Sequence, residues 1–234
     1  MQYYVGTSGF SYKEWKGHFY PEKLSNKNML EYYSSQLTSV EINNTFYRMP
    51  KQEVVENWAA TVPRNFRFIL KANRRITHFK RLKEAGEVSA YMLGLASSLG
   101  PKLGAVLFQL PPNFRKDMDR LTGFLKVLPP KTKAAFEFRH ASWFDGEANE
   151  LIGKKGFALC TADAGDQDFE PELSQAKWGY VRLRKPAYSE KELQSWHTRI
   201  MERNWKHCFV FFKHEDEAAG PNMAKNFISM TKVE

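Results

Sequence analysis

Cysteine is scarce in this sequence, with two residues in 234, Cys160 and Cys208. Both lie within apolar, strand-like runs far apart in the chain, and neither stands at a spacing typical of metal ligands. Such a pair is typical of buried, unpaired thiols rather than of a disulfide framework. The sequence therefore predicts reduced cysteines in the core of a cytoplasmic protein.

Long apolar runs and the common catalytic motifs are also absent. No stretch of about 18 consecutive apolar residues exists, so we expect no membrane-spanning helix. The residues Met1-Gln2-Tyr3-Tyr4-Val5 lack a basic segment, so we expect no signal peptide. The patterns G-x-x-x-x-G-K-S/T, G-x-G-x-x-G, G-x-S-x-G and H-E-x-x-H are missing. This disfavours a P-loop kinase, a Rossmann dehydrogenase, a common serine hydrolase and a zincin.

Acidic residues are outnumbered, because 26 Asp and Glu stand against 35 Lys and Arg and give a net charge of +9. A basic balance favours anionic partners, such as nucleic acid, phosphorylated metabolites or an acidic surface. The alternative is that lysine and arginine only solvate the helices, since the charge is spread along the chain with a mild concentration at Lys71–Lys83. Composition alone leaves both interpretations open.

Strand-like and helix-like segments alternate along the whole chain. Apolar and polar residues alternate in the strands, and apolar residues recur at helical spacing between them. The predicted strands are Tyr3–Ser8, Ser39–Asn43, Phe66–Lys71, Leu103–Leu110, Ala134–Phe138, Phe157–Thr161, Tyr180–Arg184 and Cys208–Phe212. The stretch Ala164–Ala176 has little helical periodicity, so the sixth unit is irregular.

Eight such units in 234 residues predict a compact α/β fold, a (β/α)8 TIM barrel forming a single domain over residues 1–234. An open doubly wound sheet is the alternative, because the same alternation serves both folds. The count of eight favours the barrel. Polar residues also gather at the carboxyl ends of nearly every strand, whereas a doubly wound sheet would concentrate them at one switch point.

Several segments at these strand ends resemble one known family. They are Gly6-Thr7-Ser8-Gly9-Phe10-Ser11-Tyr12, Val40-Glu41-Ile42-Asn43-Asn44-Thr45-Phe46-Tyr47, Arg75-Ile76-Thr77-His78, Leu107-Phe108-Gln109-Leu110-Pro111-Pro112, Glu137-Phe138-Arg139-His140 and Tyr180-Val181-Arg182-Leu183. In this order they resemble the YecE-like family, domain-of-unknown-function family seventy-two. The resemblance implies a (β/α)8 barrel related by fold to xylose isomerase-like and apurinic-endonuclease-like barrels, and it implies no reaction.

The sequence departs from the family pattern after the eighth strand. Many members resemble Tyr-Phe-Asn-Asn there, whereas this chain has Phe211-Phe212-Lys213-His214-Glu215-Asp216. A family-wide role for the end of that strand is therefore in doubt.

The polar residues at the strand ends form the candidate site, because a closed barrel brings these ends to one mouth. The strand ends contribute Glu41, Asn43, Lys71, Gln109, Glu137, Arg139, Asp163, Arg182 and His214. The loops contribute Thr7, Ser8, Tyr12, Tyr47, Arg75, His78 and Trp143 at the rim. Charged groups almost never enter an interior unpaired, so we expect the set to serve a function.

The first hypothesis is an enzyme that acts on an anionic small molecule, phosphorylated or carboxylated. Lys71, Arg139 and Arg182 would hold the anion, because guanidinium groups match phosphate and carboxylate geometry. Glu41 and Glu137 would share general-base and general-acid catalysis, with His78 as a second proton-transfer group. The remaining strand-end and rim residues would bind the substrate. The alternative for the glutamates and arginines is a structural ion-pair network.

Two further hypotheses concern a metal and nucleic acid. Glu41, Glu137, Asp163 and His214 could bind magnesium or manganese for phosphoester hydrolysis, although interleaved arginines would repel a metal. The sequence requires no cofactor and leaves a divalent metal open. In a binding module without catalysis, aromatic residues would stack nucleic-acid bases. These aromatic residues are Tyr12, Trp15, Phe46, Tyr47 and Trp143, and their alternative is loop packing.

Overall fold

The computed structural model describes residues 1–165, 172–213 and 216–231. Eight parallel strands close one barrel in chain order. They are Gln2–Ser8 (β1), Ser39–Ile42 (β2), Arg67–Lys71 (β3), Leu103–Gln109 (β4), Ala134–Glu137 (β5), Ala158–Asp163 (β6), Gly179–Leu183 (β7) and His207–Phe212 (β8). Strand β8 returns to pair with β1 from Gln2 opposite His207 to Thr7 opposite Phe212. This closure confirms the (β/α)8 barrel and excludes the doubly wound sheet.

Helices connect the strands on the outside of the barrel. The described residues form α-helices at Met29–Gln36 (α1), Asn44–Tyr47 (α2), Gln52–Thr61 (α3), Gly86–Ser97 (α4), Met118–Val127 (α5), Glu147–Lys154 (α6), Glu190–Met201 (α7) and Ala219–Met230 (α8). A single π-helical turn, Arg75–Phe79, follows β3. Between β6 and β7, the described residues 164–165 and 172–178 contain no helix, as expected for an irregular sixth unit.

Two apolar layers follow from the alternation of side chains along the strands. Outward residues such as Val40 and Phe68 pack under the helices, together with Cys208. Inward residues fill the barrel itself. This inner layer combines small and aromatic side chains: Tyr4, Ile69, Ala105, Leu107, Ala135, Ala158, Cys160, Tyr180, Phe209 and Phe211. Both cysteines are therefore buried and free, as predicted.

The sequence predicted that no helix spans a membrane, and the helices of the structure can be compared with this prediction. Within the described parts of the chain, none of the helices combines the length and the apolar composition that crossing a bilayer requires.

Helix α1 is tied to the first two strands by the hydroxyl of Tyr33, which is fully buried. This hydroxyl accepts a hydrogen bond from the backbone N of Thr7 at 2.8 Å and donates one to the carbonyl of Ser39 at 3.0 Å. Gly6 makes room for this contact, because a Cβ there would lie 1.8 Å from Ser39 O and 2.9 Å from the Tyr33 hydroxyl. The sequence thus requires glycine at this point of β1.

We expect Tyr33→Phe to lower the free energy of unfolding by about 1–3 kcal/mol, because the buried Thr7 N–H loses its partner. Urea unfolding followed by circular dichroism measures the change. Tyr91→Phe is the matched control, since Tyr91 is exposed and its hydroxyl reaches water. Equal stability of the two variants would contradict the tether.

Candidate functional site

Polar side chains from five strands enter the barrel at its carboxyl-terminal end. Along each strand these residues alternate with outward apolar residues. Each of the five side chains therefore points into the barrel near the carboxyl-terminal end of its strand. The five are Glu41 of β2, Lys71 of β3, Gln109 of β4, Glu137 of β5 and Arg182 of β7. The structure thus brings together residues that are widely separated in the sequence.

Arg182 joins the two glutamates, and we call this contact the carboxylate–arginine bridge. Its Nη1 lies 2.6 Å from Glu137 Oε2, and its Nη2 lies 2.8 Å from Glu41 Oε1. All three side chains are buried. A buried charge is tolerated when it is paired and hydrogen-bonded, which is the case for each member of this bridge.

Neighbouring side chains occupy the remaining acceptor positions of Glu41. Ser8 Oγ donates to Glu41 Oε1 at 2.9 Å, and Asn43 Nδ2 donates to the same oxygen at 3.1 Å. The buried hydroxyl of Tyr180 donates to Glu41 Oε2. Burial, and then the charge of Glu41, raises the pKa of Tyr180 well above its usual value, so the hydroxyl keeps its proton. Glu41 is therefore held as a hydrogen-bond acceptor on both oxygens.

Glu137 is similarly saturated. Gln109 Nε2 lies 2.8 Å and Arg139 Nε 3.0 Å from Glu137 Oε1. The thiol of Cys160 contacts Glu137 Oε2 at 3.9 Å. Burial alone would raise the pKa of Glu137, but Arg182 and then Arg139 outweigh it and hold the pKa far below its usual range. Glu137 is therefore ionised at neutral pH.

These contacts bear on the roles expected for the glutamates. A carboxylate whose oxygens already accept several hydrogen bonds and an ion pair is poorly placed to exchange a proton with a substrate. The geometry therefore favours the ion-pair network that the sequence left as the alternative for Glu41 and Glu137. Their predicted catalytic roles remain to be tested by activity.

Lys71 and His78 lie at the mouth and have shifted pKa values. Lys71 Nζ lies 4.3 Å from the centroid of the Phe46 ring. Burial, and then the charge of Arg182, lowers the pKa of Lys71 to about 8. The His78 ring packs against Phe46 at 4.8 Å, and its Nδ1 lies 2.9 Å from Thr77 Oγ1. Burial, and then Lys71, lowers the pKa of His78. Both groups thus have neutral forms accessible near pH 7.

Arg139 completes the mouth. Its side chain is 31% exposed, and the hydrogen bond to Glu137 uses only Nε. Arg184 lies one residue beyond the end of β7, and its charge reaches Glu137. Arg184 and Tyr180 were not among the predicted site residues, although the alternation of Tyr180, Arg182 and Arg184 in the sequence was a usable signal.

Asp163 was expected at the mouth, and the structure corrects this. It is an outward residue of β6, where its Oδ2 accepts hydrogen bonds from Tyr188 Oη at 3.1 Å and Trp196 Nε1 at 3.2 Å. Lys185 Nζ lies 3.6 Å from the same oxygen. Asp163 therefore braces β6 against helix α7, because a polar group on the outer face must be satisfied there.

Trp143 was expected to bind substrate, and it is instead buried. Its ring stacks on Phe138 with 4.3 Å between centroids, and its Nε1 donates to the carbonyl of Phe114. Trp15 is buried as well, against Tyr12 and Phe19. The alternative of loop packing is therefore correct for both tryptophans.

Three rim residues lie at separate places. Arg75 is exposed and lines a surface cavity with Lys80 and Tyr91, so it does not join the carboxylate–arginine bridge. Tyr47 is exposed on α2. Tyr12 donates to the carbonyl of Ser8 at 2.8 Å and, with Asn43, lines a cavity of about 290 Å³ beside the mouth. Thr7 is buried against Tyr33, and His214 lies outside the described residues.

The carboxylate–arginine bridge argues against a metal ion held between Glu41 and Glu137. A cation shared by Glu41 and Glu137 would need the position between them that the Arg182 guanidinium fills. Within residues 1–165, 172–213 and 216–231, no three His, Cys, Asp or Glu side chains are grouped as metal ligands. Asp163, the third predicted ligand in this range, points away from the barrel.

Comparisons with known proteins agree on one family. A family model described as "Protein of unknown function DUF72" matches residues 4–234. UPF0759 protein YecE of Escherichia coli K12 is 30% identical over 153 residues, which is 64% of this chain and 54% of that protein. UPF0759 protein YunF of Bacillus subtilis 168 is 24% identical, with 99% of this chain and 95% of YunF covered.

Solved structures extend the similarity to the fold. A DUF72 family protein from Thermotoga maritima MSB8 superposes with a TM-score of 0.89 at 26% identity, covering 99% of this chain and 100% of that one. A DUF72 family protein from Enterococcus faecalis V583 gives a TM-score of 0.76 at 18% identity, covering 100% of this chain and 98% of that one. The latter likeness concerns the fold alone.

We expect Glu137→Gln to lower the free energy of unfolding at pH 7 by about 3–5 kcal/mol, because Arg182 loses half of its buried partner charge. The folded pKa of Glu137 is depressed, so its ionised form stabilises the fold above the unfolded pKa of 4.5. This contribution is lost as the pH falls below that value. The gap between variant and wild type should therefore narrow in acid.

Urea unfolding at several pH values measures this gap. Glu150→Gln is the matched control, since Glu150 is exposed and pairs only with Lys154 on the same helix. We expect the control to change stability little at any pH. A Glu137→Gln variant that behaves like the control would contradict the bridge.

Proposed function

The chain belongs to the DUF72 family of proteins of unknown function, and from this premise we propose that it is an enzyme acting on an anionic small molecule at the carboxyl-terminal mouth of the barrel. The observation that carries the proposal is that the carboxylates at the mouth are paired within the protein, whereas some of the positive groups remain available to a ligand. Glu41 and Glu137 are satisfied internally by Arg182, whereas Lys71 and the exposed part of Arg139 are left above them. Such cations suit a phosphate or carboxylate group.

The balance of charge supports an anion rather than a neutral ligand. Among the described residues, the carboxylates of Glu41 and Glu137 face Arg182, Arg139 and protonated Lys71, and the charge of Arg184 also reaches Glu137. Positive groups therefore outnumber carboxylates among the described residues of this partly buried space, where electrostatic interactions are stronger than in water. A bound anion would offset this positive charge.

Lys71 and His78 are the groups best suited to move a proton. Efficient general acid–base catalysis needs a pKa near the working pH, and Lys71 has a pKa of about 8. The His78 ring packs edge-to-face on Phe46, and its pKa is lowered as well. In this proposal Glu41 and Glu137 position Arg182, while Lys71 accepts or returns the proton and His78 assists.

A small ligand is favoured over nucleic acid at this mouth. Two of the aromatic residues considered for base stacking, Trp15 and Trp143, are buried in the loops. Of the remaining ones, Phe46 is engaged with Lys71 and His78. A stacking platform needs exposed rings along a groove, so the mouth fits a compact anion better.

We expect sulfate, whose charge is constant across this range, to bind more weakly as the pH rises through about 8, since Lys71 then loses its proton. Lys71→Met should weaken binding about tenfold and remove the pH dependence. Lys71→Arg should keep the affinity constant across the same range, because arginine stays charged. Isothermal titration calorimetry from pH 6 to 9.5 measures these constants.

Lys126→Met is the control for this titration, because Lys126 is an exposed lysine of α5. The control should bind sulfate like the wild type. If Lys71→Met and Lys126→Met behave alike, Lys71 does not hold the anion and the proposed mouth site fails.

We expect turnover to depend on the same lysine. A pool of phosphorylated and carboxylated metabolites is incubated with wild type, Lys71→Met and Lys126→Met, with and without Mn²⁺, and followed by mass spectrometry. Wild type and the Lys126 variant should consume an anionic metabolite, and the Lys71 variant should be at least about 100-fold slower. Consumption that survives in the Lys71 variant would contradict its catalytic role, and consumption only with Mn²⁺ would favour the metal hypothesis.

A further inference from the structure

A second cavity lies at the opposite, amino-terminal end of the barrel, and we call it the basal cavity. Its volume is about 180 Å³. The residues that matter here come from the first positions of strands or from just before them: Tyr4, Arg67, Lys133, Trp178, His207 and Phe209. Because the mouth is formed by the other ends of the strands, this cavity is independent of the proposed active site.

Three basic side chains meet in the basal cavity without a carboxylate. Arg67 Nη1 is fixed by the carbonyls of Arg64 at 3.1 Å and Phe66 at 2.9 Å. Lys133 Nζ is fixed by the carbonyl of Leu103 at 2.8 Å. The described lining contains no Asp or Glu, and in the described ranges none of Arg67, Lys133 and His207 forms a salt bridge. Arg67 and Lys133, and His207 when it is protonated, therefore repel one another, with no described protein anion between them.

The titration of these groups agrees with this crowding. Burial, and then Arg67, lowers the pKa of Lys133. Burial, and then Lys133 followed by Arg67, lowers the pKa of His207. The part of each shift that comes from a neighbouring positive charge is the part that an anion placed among the three groups would offset.

Flat rings form the other walls of the basal cavity. Trp178 stacks on His207 with 5.6 Å between centroids and 20° between planes. Tyr4 stacks on Phe209 at 5.0 Å, and the Arg67 guanidinium lies 5.2 Å from the Tyr4 centroid. Aromatic walls of this kind pack on a flat ring in offset-stacked or edge-to-face arrangements.

Gly104 belongs to the cavity lining and leaves no room for a side chain. A Cβ at Gly104 would lie 2.8 Å from both Ile69 Cδ1 and Phe209 Cζ, on the cavity wall. The neighbouring pairing of β3 with β4 shifts register between Phe68 and Ile69, where the strand partners jump from Leu103 to Ala105. Such a bulge bends the strand end and re-aims its side chains.

We infer that the basal cavity is a second binding site, which takes a small oxyanion carried on a flat ring, such as an aryl phosphate or an aryl carboxylate. Arg67, Lys133 and His207 bind the oxyanion, and the rings of Tyr4, Trp178 and Phe209 pack on the flat group. Part of the Lys133 side chain reaches solvent and Trp178 and His207 are half-buried, so a ligand reaches the cavity from solvent.

The probes are phenyl phosphate, benzoate, inorganic phosphate and phenol, titrated into the whole protein. Side-chain NMR signals of His207 and Trp178 report the site, after assignment with His207→Gln and Trp178→Phe. Phenyl phosphate or benzoate should shift both signals and raise the pKa of His207, because the anion favours the imidazolium. Phosphate alone should bind more weakly, and phenol should leave the signals unchanged. The two aryl anions also distinguish a phosphate ligand from a carboxylate ligand.

Lys133→Gln should weaken the better aryl anion about tenfold, through the loss of one charged hydrogen bond. Lys131→Gln is the matched control, since Lys131 is an exposed lysine of the same loop outside the lining. Lys71→Met should leave this affinity unchanged, which separates the basal cavity from the mouth. If no probe shifts His207 and Trp178, or if the Lys133 and Lys131 variants bind alike, the inference is overturned.

Discussion

The contact of one guanidinium, that of Arg182, with the carboxylates of Glu41 and Glu137 is the constraint on which the mouth of the barrel depends. It spans strands β2, β5 and β7, which are not neighbours in the sheet. In a flat sheet β2 and β5 would stand about 14 Å apart, three strand spacings, so a single side chain joins them only after the sheet has closed. Closure and charge pairing therefore stabilise each other, because each buried charge would be costly without the other two.

The carboxylate–arginine bridge also bears on which groups at the mouth can transfer a proton. It holds Glu137 ionised at neutral pH, and hydrogen-bond donors occupy the oxygens of both glutamates. Lys71 differs, because burial and then the charge of Arg182 lower its pKa to about 8. The mouth therefore combines two glutamates held by Arg182 with a lysine in the pKa range where general acid–base catalysis is efficient.

The sequence predicted the barrel because its signals are local and repeated. Alternation with period two, repeated in eight units, placed Glu41, Glu137 and Arg182 on inward faces at the same end. Asp163 was misplaced because the pattern ended the sixth strand at Thr161, whereas β6 continues through Asp163. In a continuing strand, parity sends Asp163 outward to helix α7. An error of two residues in a strand boundary was enough to assign a bracing residue to the site.

The chemical state of a residue depends on neighbours that local patterns do not contain. Lys71 and Lys133 are the same residue type, and burial lowers the pKa of both. The second cause differs, because Arg182 acts on Lys71 and Arg67 acts on Lys133. The net charge of +9 does not show where the positive groups lie, whereas the structure does. Among the described residues, Lys71 at the mouth and Arg67 and Lys133 at the opposite end form no salt bridge. The carboxylates of Glu41 and Glu137, by contrast, pair with Arg182. A charge placed only to solvate helices would lie on the outer surface, where its pKa stays near the usual value.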